Sequence, residues 1–194
     1  MKKSSQADFG TGSIGKLLFS MAVPAITAQI INLLYNIVDR MYIGHIPVIG
    51  ATALTGVGVT FPIITLITAF SYLIGMGGAA GFSLDLGKKQ ARSARKNWGN
   101  AIVLSVGLGC LLAVLAVAFL EPMLYLFGAT ENTIGFAKDY LTIYLAGSIF
   151  VELSLGLNYF ITAQGFSTIG MATVLIGAVV NIVLDPILIF NFGM

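Results

Sequence analysis

Apolar residues along this chain form five long runs, separated by short stretches rich in glycine, proline and charge. Crossing about 30 Å of hydrocarbon takes about 20 residues of helix, and each run is long enough to do so. A helix satisfies its backbone N–H and C=O groups internally, as hydrocarbon requires. The pattern therefore predicts an all-α integral membrane fold of about five transmembrane helices, at about residues 17–42, 51–80, 98–120, 136–163 and 171–190.

The amino-acid composition excludes an ordinary water-soluble domain. Hydrophobic residues make up 57% of the 194 residues and charged residues only 9%, whereas a soluble domain carries about 25% charged residues. One cysteine, Cys110, and one histidine, His45, leave no disulfide within the chain and no histidine-based metal or catalytic cluster. We therefore expect a single transmembrane bundle over residues 1–194, with the lipid bilayer as its partner.

Lysine and arginine are unevenly distributed between the connections. Most of them lie before the first span or between the second and third spans, two places on the same side of the membrane. Because cytoplasmic connections carry an excess of Lys and Arg, we expect a multi-pass protein with a cytoplasmic N-terminus. Nucleic-acid binding is disfavoured, because membrane spans flank the basic run on both sides. That run consists of Lys88, Lys89, Arg92, Arg95 and Lys96.

Polar residues interrupt the first span along one helical face. An ionisable residue at membrane depth costs roughly 2.5–3.5 kcal/mol on insertion scales, so it is kept where it has a partner or a task. The stripe predicts a cation- or proton-binding site with Asp39 as its titrating group. The alternative is an interfacial pair with Arg40, although adjacent residues on a helix do not face each other. The stripe follows an i, i+3, i+4, i+7 spacing and consists of Asn32, Tyr35, Asn36 and Asp39.

The fifth span carries a second polar pair near its end. Asn181 and Asp185 are four positions apart and share a helix face. Pro186 has no N–H to donate, which frees a carbonyl near residue 182. An amide oxygen, a carboxylate and a freed carbonyl suit Na⁺ or a relayed proton, and we expect no other metal. In the alternative interpretation, Asp185 only extends to the membrane interface.

The fourth span contains Glu152, Asn158 and Thr162. Asn158 and Thr162 share a face that Glu152 does not. Asn158 is a candidate member of the supporting polar face or, equally, an interhelical hydrogen-bonding group. Glu152 is a candidate proton carrier, which the pattern favours less than Asp39 or Asp185.

Motifs for ATP hydrolysis and for enzymatic chemistry are missing from the sequence. The chain has no Gly-x-x-x-x-Gly-Lys-Ser/Thr, no histidine pair for zinc and no Gly-x-Ser-x-Gly. An intramembrane aspartyl protease would use two aspartates, but its Gly-x-Gly-Asp setting is absent. We therefore expect no enzyme, no catalytic residue and no cofactor beyond a coupling ion.

Several short stretches together resemble the bacterial branch of the multidrug and toxic compound extrusion (MATE) transporters, from about residue 15 to 194. Each stretch is weak alone, but their order and spacing are specific. Pro24 in the first span belongs to the resemblance. The longer stretches are Leu34-Tyr35-Asn36-Ile37-Val38-Asp39, Gly58-Val59-Thr60-Phe61-Pro62-Ile63, Gly75-Met76-Gly77-Gly78 and Asn181-Ile182-Val183-Leu184-Asp185-Pro186.

The resemblance implies an efflux antiporter of the bacterial cytoplasmic membrane, which exports amphipathic or cationic organic compounds in exchange for H⁺ or Na⁺. Family members have twelve helices in two six-helix lobes, so this chain resembles an N-terminal lobe without its sixth helix and without the second lobe. An aspartate of the first helix joins an asparagine and an aspartate of the fifth in related proteins, which match Asp39, Asn181 and Asp185. Pro24 matches the proline associated with bending of the first helix.

Two other functions stay open at this level. The odd number of spans and the apolar end at Met194 suggest a truncated, non-transporting fragment, or a half-bundle subunit that needs a C-terminal lobe or a second subunit. A flippase for lipid-linked precursors is the other. The scarcity of intramembrane Lys and Arg disfavours it, because an anionic head group requires cationic partners.

Overall fold

The computed structural model describes residues 13–191, and every regular element in that range is helical. Five of its helices are long and apolar enough to cross a membrane. The prediction of an all-α membrane fold with five spans is confirmed. The elements are α1 (Ile14–Gly44), α2 (Gly50–Gly87), α3 (Ala91–Ala118), α4 (Leu120–Leu126), α5 (Ile134–Ala163), α6 (Ser167–Pro186) and a π-helical segment (Ile187–Asn191).

The helices extend beyond the apolar runs between the second and third spans. The pattern ends one span at residue 80 and begins the next at 98, whereas α2 continues to Gly87 and α3 begins at Ala91. The short helix α4 also lies largely in a stretch that the pattern leaves as a connection. Hydrophobicity marks the part of a helix that faces lipid, while backbone hydrogen bonding continues into the polar turns beyond it.

Three helices end in the same backbone motif. A residue in the left-handed conformation follows each of them: Lys89 (φ 59°), Gly128 (φ 99°) and Gly165 (φ 86°). The next residue donates its N–H to a carbonyl five positions earlier, as in the 3.3 Å bond from Phe166 to Ile161. This motif satisfies carbonyls that a helix end leaves unpaired, and it allows the chain to reverse within residues 164–166.

The described residues divide into two compact units. Residues 13–42 and 158–191 form unit 1, which contains most of α1, the end of α5, and α6; Ile43–Leu157 form unit 2. No residue of α1 is buried, and large apolar side chains such as Leu33 are exposed, as suits a lipid-facing surface. The single bundle over residues 1–194 stays a prediction. The apolar core of unit 2 consists of Ile63, Ile67, Ala116, Leu120, Leu124, Ala129, Ala137, Leu141 and Leu145.

Proline residues lie within four of the helices, α1, α2, α4 and α6. Pro24 lies within α1, which continues as one helix to Gly44. Because a proline has no N–H, it leaves the carbonyl four positions earlier without its helical donor. For Pro24 that carbonyl belongs to Ser20, which accepts a 3.4 Å hydrogen bond from Ser167 Oγ at the start of α6. The proline of α1 thus frees a backbone group for a contact between two helices of unit 1.

Candidate functional site

The polar stripe of α1 lies on the less exposed side of that helix. Its members are half-buried, whereas Leu33, Leu34 and Ile37 between them are exposed. The side-chain amide of Asn36 donates to the Asn32 carbonyl oxygen at 2.8 Å and to Asn32 Oδ1 at 2.9 Å. The residues of the stripe therefore share one helix face, as their spacing predicts. They are Asn32, Tyr35, Asn36 and Asp39.

Asp39 and Asp185 come together at the C-terminal ends of α1 and α6, within unit 1. Their carboxyl groups lie close enough to interact electrostatically with each other. Asn181 donates from Nδ2 to Asp185 Oδ1 at 3.2 Å. The three residues selected by sequence therefore form one cluster, contributed by two helices that are far apart in the chain.

Two oxygens of this cluster are left unsatisfied. Asp39 Oδ1 and Asn181 Oδ1 are buried and have no hydrogen-bond partner among the described residues. A buried polar oxygen without a partner is costly and points to a bound proton, ion or water. Two ionised carboxylates this close repel each other, so the pair requires a proton or a cation between them.

The chemistry of the donors restricts the ligand. The cluster presents only oxygen atoms, from two carboxylates and one amide. Pro186 also leaves the Ile182 carbonyl, one turn earlier on α6, without the N–H that residue 186 would donate. Oxygen-only ligand sets suit hard cations rather than soft transition metals. The described residues contain no group of three or more His, Cys, Asp or Glu that could hold a metal ion.

Asn158, a candidate member of the polar face that supports Asp39, makes its hydrogen bonds elsewhere. Its side-chain amide donates to the Gly170 carbonyl oxygen at 3.2 Å and to Thr173 Oγ1 at 2.8 Å, which ties α5 to the first turns of α6. Thr173 lies about three helical turns before Asp185. Asn158 therefore makes the interhelical hydrogen bond of the structural alternative, and it is not brought to Asp39.

Glu152 also lies outside the Asp39 cluster. It belongs to unit 2, is 1% exposed, and faces Gly109 of α3. Reasoning from sequence missed Gly109 beside it, and Ser71 and Ser105, which lie near Gly156 one turn further along α5. The available signal was the repeat of small residues every third or fourth position along α2 and α3, which marks a buried helix face.

Comparison with known proteins identifies the same region of the chain. The family model described as MatE matches residues 24–187. The chain is 30% identical over 191 residues to "Multidrug export protein MepA" of Staphylococcus haemolyticus, covering 98% of this chain and 42% of that protein. It is 26% identical to the "FAD transporter" of Shewanella oneidensis, covering 93% of this chain and 39% of that protein.

Solved structures share the fold. A structure described as "Outward-facing conformation of a multidrug resistance MATE family transporter of the MOP superfamily" matches with a TM-score of 0.85 and 23% identity, over 94% of this chain and 40% of that one. A structure described as "protein A" matches with a TM-score of 0.87 and 35% identity, over 97% and 42%. The chain therefore spans about two fifths of the length of the proteins that it matches.

Proposed function

This chain belongs to the MatE family of transporters, and we propose that it forms the cation-binding part of a secondary efflux antiporter. The observation that carries the proposal is the approach of Asp39 to Asp185, with Asn181 hydrogen-bonded beside them. The coupling ion is H⁺ or Na⁺, bound by these three residues. No other cofactor enters the proposal.

The two carboxylates supply a physical means of coupling. A proton or Na⁺ at the cluster removes the repulsion between Asp39 and Asp185 and holds the ends of α1 and α6 together. Loss of the cation restores the repulsion and favours their separation. A coupled ion acts on a conformational equilibrium only through its different affinities for the two states. The bond from Asn181 orients Asp185 for the bound state.

The exported molecules, in this proposal, are amphipathic or cationic organic compounds. Support comes from relatives whose names describe multidrug export. It also comes from the charge distribution, since the predicted spans carry almost no Lys or Arg to bind an anionic cargo. The same scarcity argues against a lipid-precursor flippase. The "FAD transporter" relative makes an anionic cargo the competing outcome of a substrate screen.

Transport requires more helices than the five spans described here. The matched relatives are more than twice as long, so we propose that a second lobe or a second subunit completes the cavity. We place the protein in the bacterial cytoplasmic membrane with its N-terminus inside. Blotting the native membrane distinguishes the partners: a species more than twice 20.4 kDa supports a second lobe in the same polypeptide. A species of 20.4 kDa supports a separate subunit or the non-transporting fragment.

The experiment that tests the function is Asp39→Asn or Asp185→Asn, introduced at the native locus so that the protein is assayed as its membrane contains it. Asp139→Asn is the control, because Asp139 is exposed on α5. We expect each cluster variant to lower ion-gradient-driven efflux of a fluorescent cationic dye about tenfold or more, with unchanged membrane insertion. Wild-type efflux from Asp39→Asn would contradict the proposal.

A further inference from the structure

A carboxyl group that the proposed antiport site does not use lies buried in unit 2. The Glu152 side chain is 1% exposed, and both of its carboxyl oxygens are buried without a hydrogen-bond partner among the described residues. An isolated ionised carboxylate in a low-dielectric interior is strongly unfavourable, and such a group takes up a proton instead. Glu152 is therefore a titratable group in need of a ligand.

Small residues on three helices lie beside this carboxyl group or one turn away from it. A Cβ atom built on Gly109 of α3 would lie 2.8 Å from Glu152 Oε2. One turn further along α5, a Cβ atom on Gly156 would lie 3.7 Å from the Ser71 carbonyl oxygen and 3.8 Å from Ser105 Oγ. We call these five residues the Glu152 layer.

The serines of the Glu152 layer are as well buried as its carboxyl group. Ser71 on α2 and Ser105 on α3 are 0% and 4% exposed, and Ser71 Oγ has no hydrogen-bond partner among the described residues. A hydroxyl group and a carboxyl group are thus both left unsatisfied in the interior of unit 2. Unsatisfied polar atoms in one buried layer indicate a place that exchanges a proton or admits water.

No described charged side chain compensates a negative charge on Glu152. The charged residues of α5 itself, Lys138 and Asp139, lie more than three turns away, and Lys138 pairs with Glu121. On α2 and α3, the charged side chains lie in the terminal turns, and the other titratable side chains are exposed. The charged ones are Asp85 on α2 and Arg92, Arg95 and Lys96 on α3. The exposed ones are Tyr72 on α2 and Cys110 on α3.

We propose that Glu152 is a proton-binding site of unit 2, separate from the cation site of unit 1. The carboxyl group holds one proton at neutral pH and lies against Gly109 as the neutral acid. A hard metal cation takes several oxygen ligands, whereas a proton takes one, and the side chains of the layer offer two hydroxyl groups besides the carboxyl. When water enters the layer, Glu152 transfers its proton to water and becomes a hydrated carboxylate. The release step rests on the proposed antiport function, but proton binding does not.

Infrared spectroscopy of the protein in lipid nanodiscs, with ¹³C in the glutamate carboxyl groups, tests the binding. The other glutamates, Glu121 and Glu131, are exposed, so Glu152 is the one expected to show a protonated carbonyl band at about pH 7. We expect that band in the wild type and in Asp39→Asn, and its loss in Glu152→Gln. A wild type without the band would overturn the proposal. So would a band that Na⁺ removes at constant pH, because the ligand would then be the metal ion.

A pair of glycine variants tests the position of the group, even if Glu152→Gln fails to fold. Gly109→Ala places a Cβ atom against the carboxyl oxygen, whereas Gly107, on the same helix, has no atom within 4 Å of a built Cβ. We expect Gly109→Ala to shift the frequency or the titration midpoint of the labelled band, and Gly107→Ala to leave both unchanged. Identical spectra from the two variants would overturn the assignment.

The pH dependence of efflux tests the release step. We expect Glu152→Gln to keep dye efflux but to show a less steep dependence of its rate on pH, because one exchanging proton has been removed. An unchanged pH profile, together with loss of the infrared band, would show that the proton is only structural. That outcome overturns the release step and leaves the antiport proposal intact, since antiport fails only if Asp39→Asn retains coupled efflux.

Discussion

Glycine residues that look alike in the sequence have different environments in the fold. A Cβ atom on Gly56 of α2 would lie 2.9 Å from Phe136 Cβ and 3.0 Å from the Thr133 carbonyl oxygen of the neighbouring chain segment. Gly58, two positions later, has no atom within 4 Å of a built Cβ. A rotation of about 200° around the helix separates the two positions, so only Gly56 faces the close approach of α2 to α5.

We expect Gly56→Ala to destabilise unit 2 and Gly58→Ala to have a neutral or stabilising effect. Overpacking costs about 1–3 kcal/mol, which exceeds the gain of about 1 kcal/mol from alanine over glycine within a helix. The contact includes a backbone carbonyl, which cannot rotate away as a side chain would. Thermal unfolding in detergent micelles, followed by circular dichroism, measures the difference. A Gly56→Ala protein as stable as Gly58→Ala would contradict the close helix approach.

At the scale of helices, a proline in α1 creates a contact with α6. Pro24 removes the donor of the Ser20 carbonyl group, and Ser167 Oγ supplies a replacement at 3.4 Å. Ser167 is buried at the first turn of α6, whereas its neighbour Thr168 is exposed. The pair shows how a residue that weakens one helix provides an acceptor for another.

The contribution of Ser167 should depend on Pro24. We expect Ser167→Ala to lower stability by about 0.6 kcal/mol, the average for interhelical hydrogen bonds in membranes. In a Pro24→Ala background, the restored N–H satisfies the Ser20 carbonyl, so Ser167→Ala should cost less. A double-mutant cycle on unfolding measures this coupling, with Thr168→Ala as the control. Strictly additive effects of the two substitutions would mean that the proline and the serine act independently.

At the scale of the whole molecule, charge is segregated along the helices of unit 2. The turn between α2 and α3 and the first turns of α3 are strongly basic. The helix α4 and the start of α5 carry a mixture of charges, including the Glu121–Lys138 ion pair. Because the excess of Lys and Arg faces the cytoplasm, the proposed topology places the α2–α3 turn inside and the segment before α5 outside.

Cysteine labelling in intact cells tests this orientation. Gln90 in the α2–α3 turn and Asn132 before α5 are exposed and uncharged, so cysteine at either position preserves the charge pattern. With Cys110→Ala as background, we expect a membrane-impermeant maleimide to label Asn132→Cys and to leave Gln90→Cys unlabelled until the cells are broken. The reverse pattern would mean that the N-terminus faces outward.

The sequence by itself determined the fold class and the existence of five spans, and it singled out Asp39, Asn181 and Asp185 as candidate site residues. Each of these follows from a local property. Apolar run length is set by the thickness of hydrocarbon. A carboxylate inside such a run is so costly that it signals a partner or a task wherever it occurs. The sequence predicted the helix ends less well. The helices α2 and α3 continue into polar turns, where hydropathy does not mark the end of a helix.

Residue spacing did not show which of these groups meet; the family resemblance implied one meeting, and the tertiary structure decided the rest. Asp39 meets Asp185, while Asn158 bonds to α6 and Glu152 lies apart from the cluster, in unit 2. It also decided that Gly109 makes room for Glu152. Spacing along one helix shows which side chains share a face, but the neighbour of that face depends on the rotation and register of other helices. Many packed side chains fix those variables together, so no single segment of the sequence encodes them.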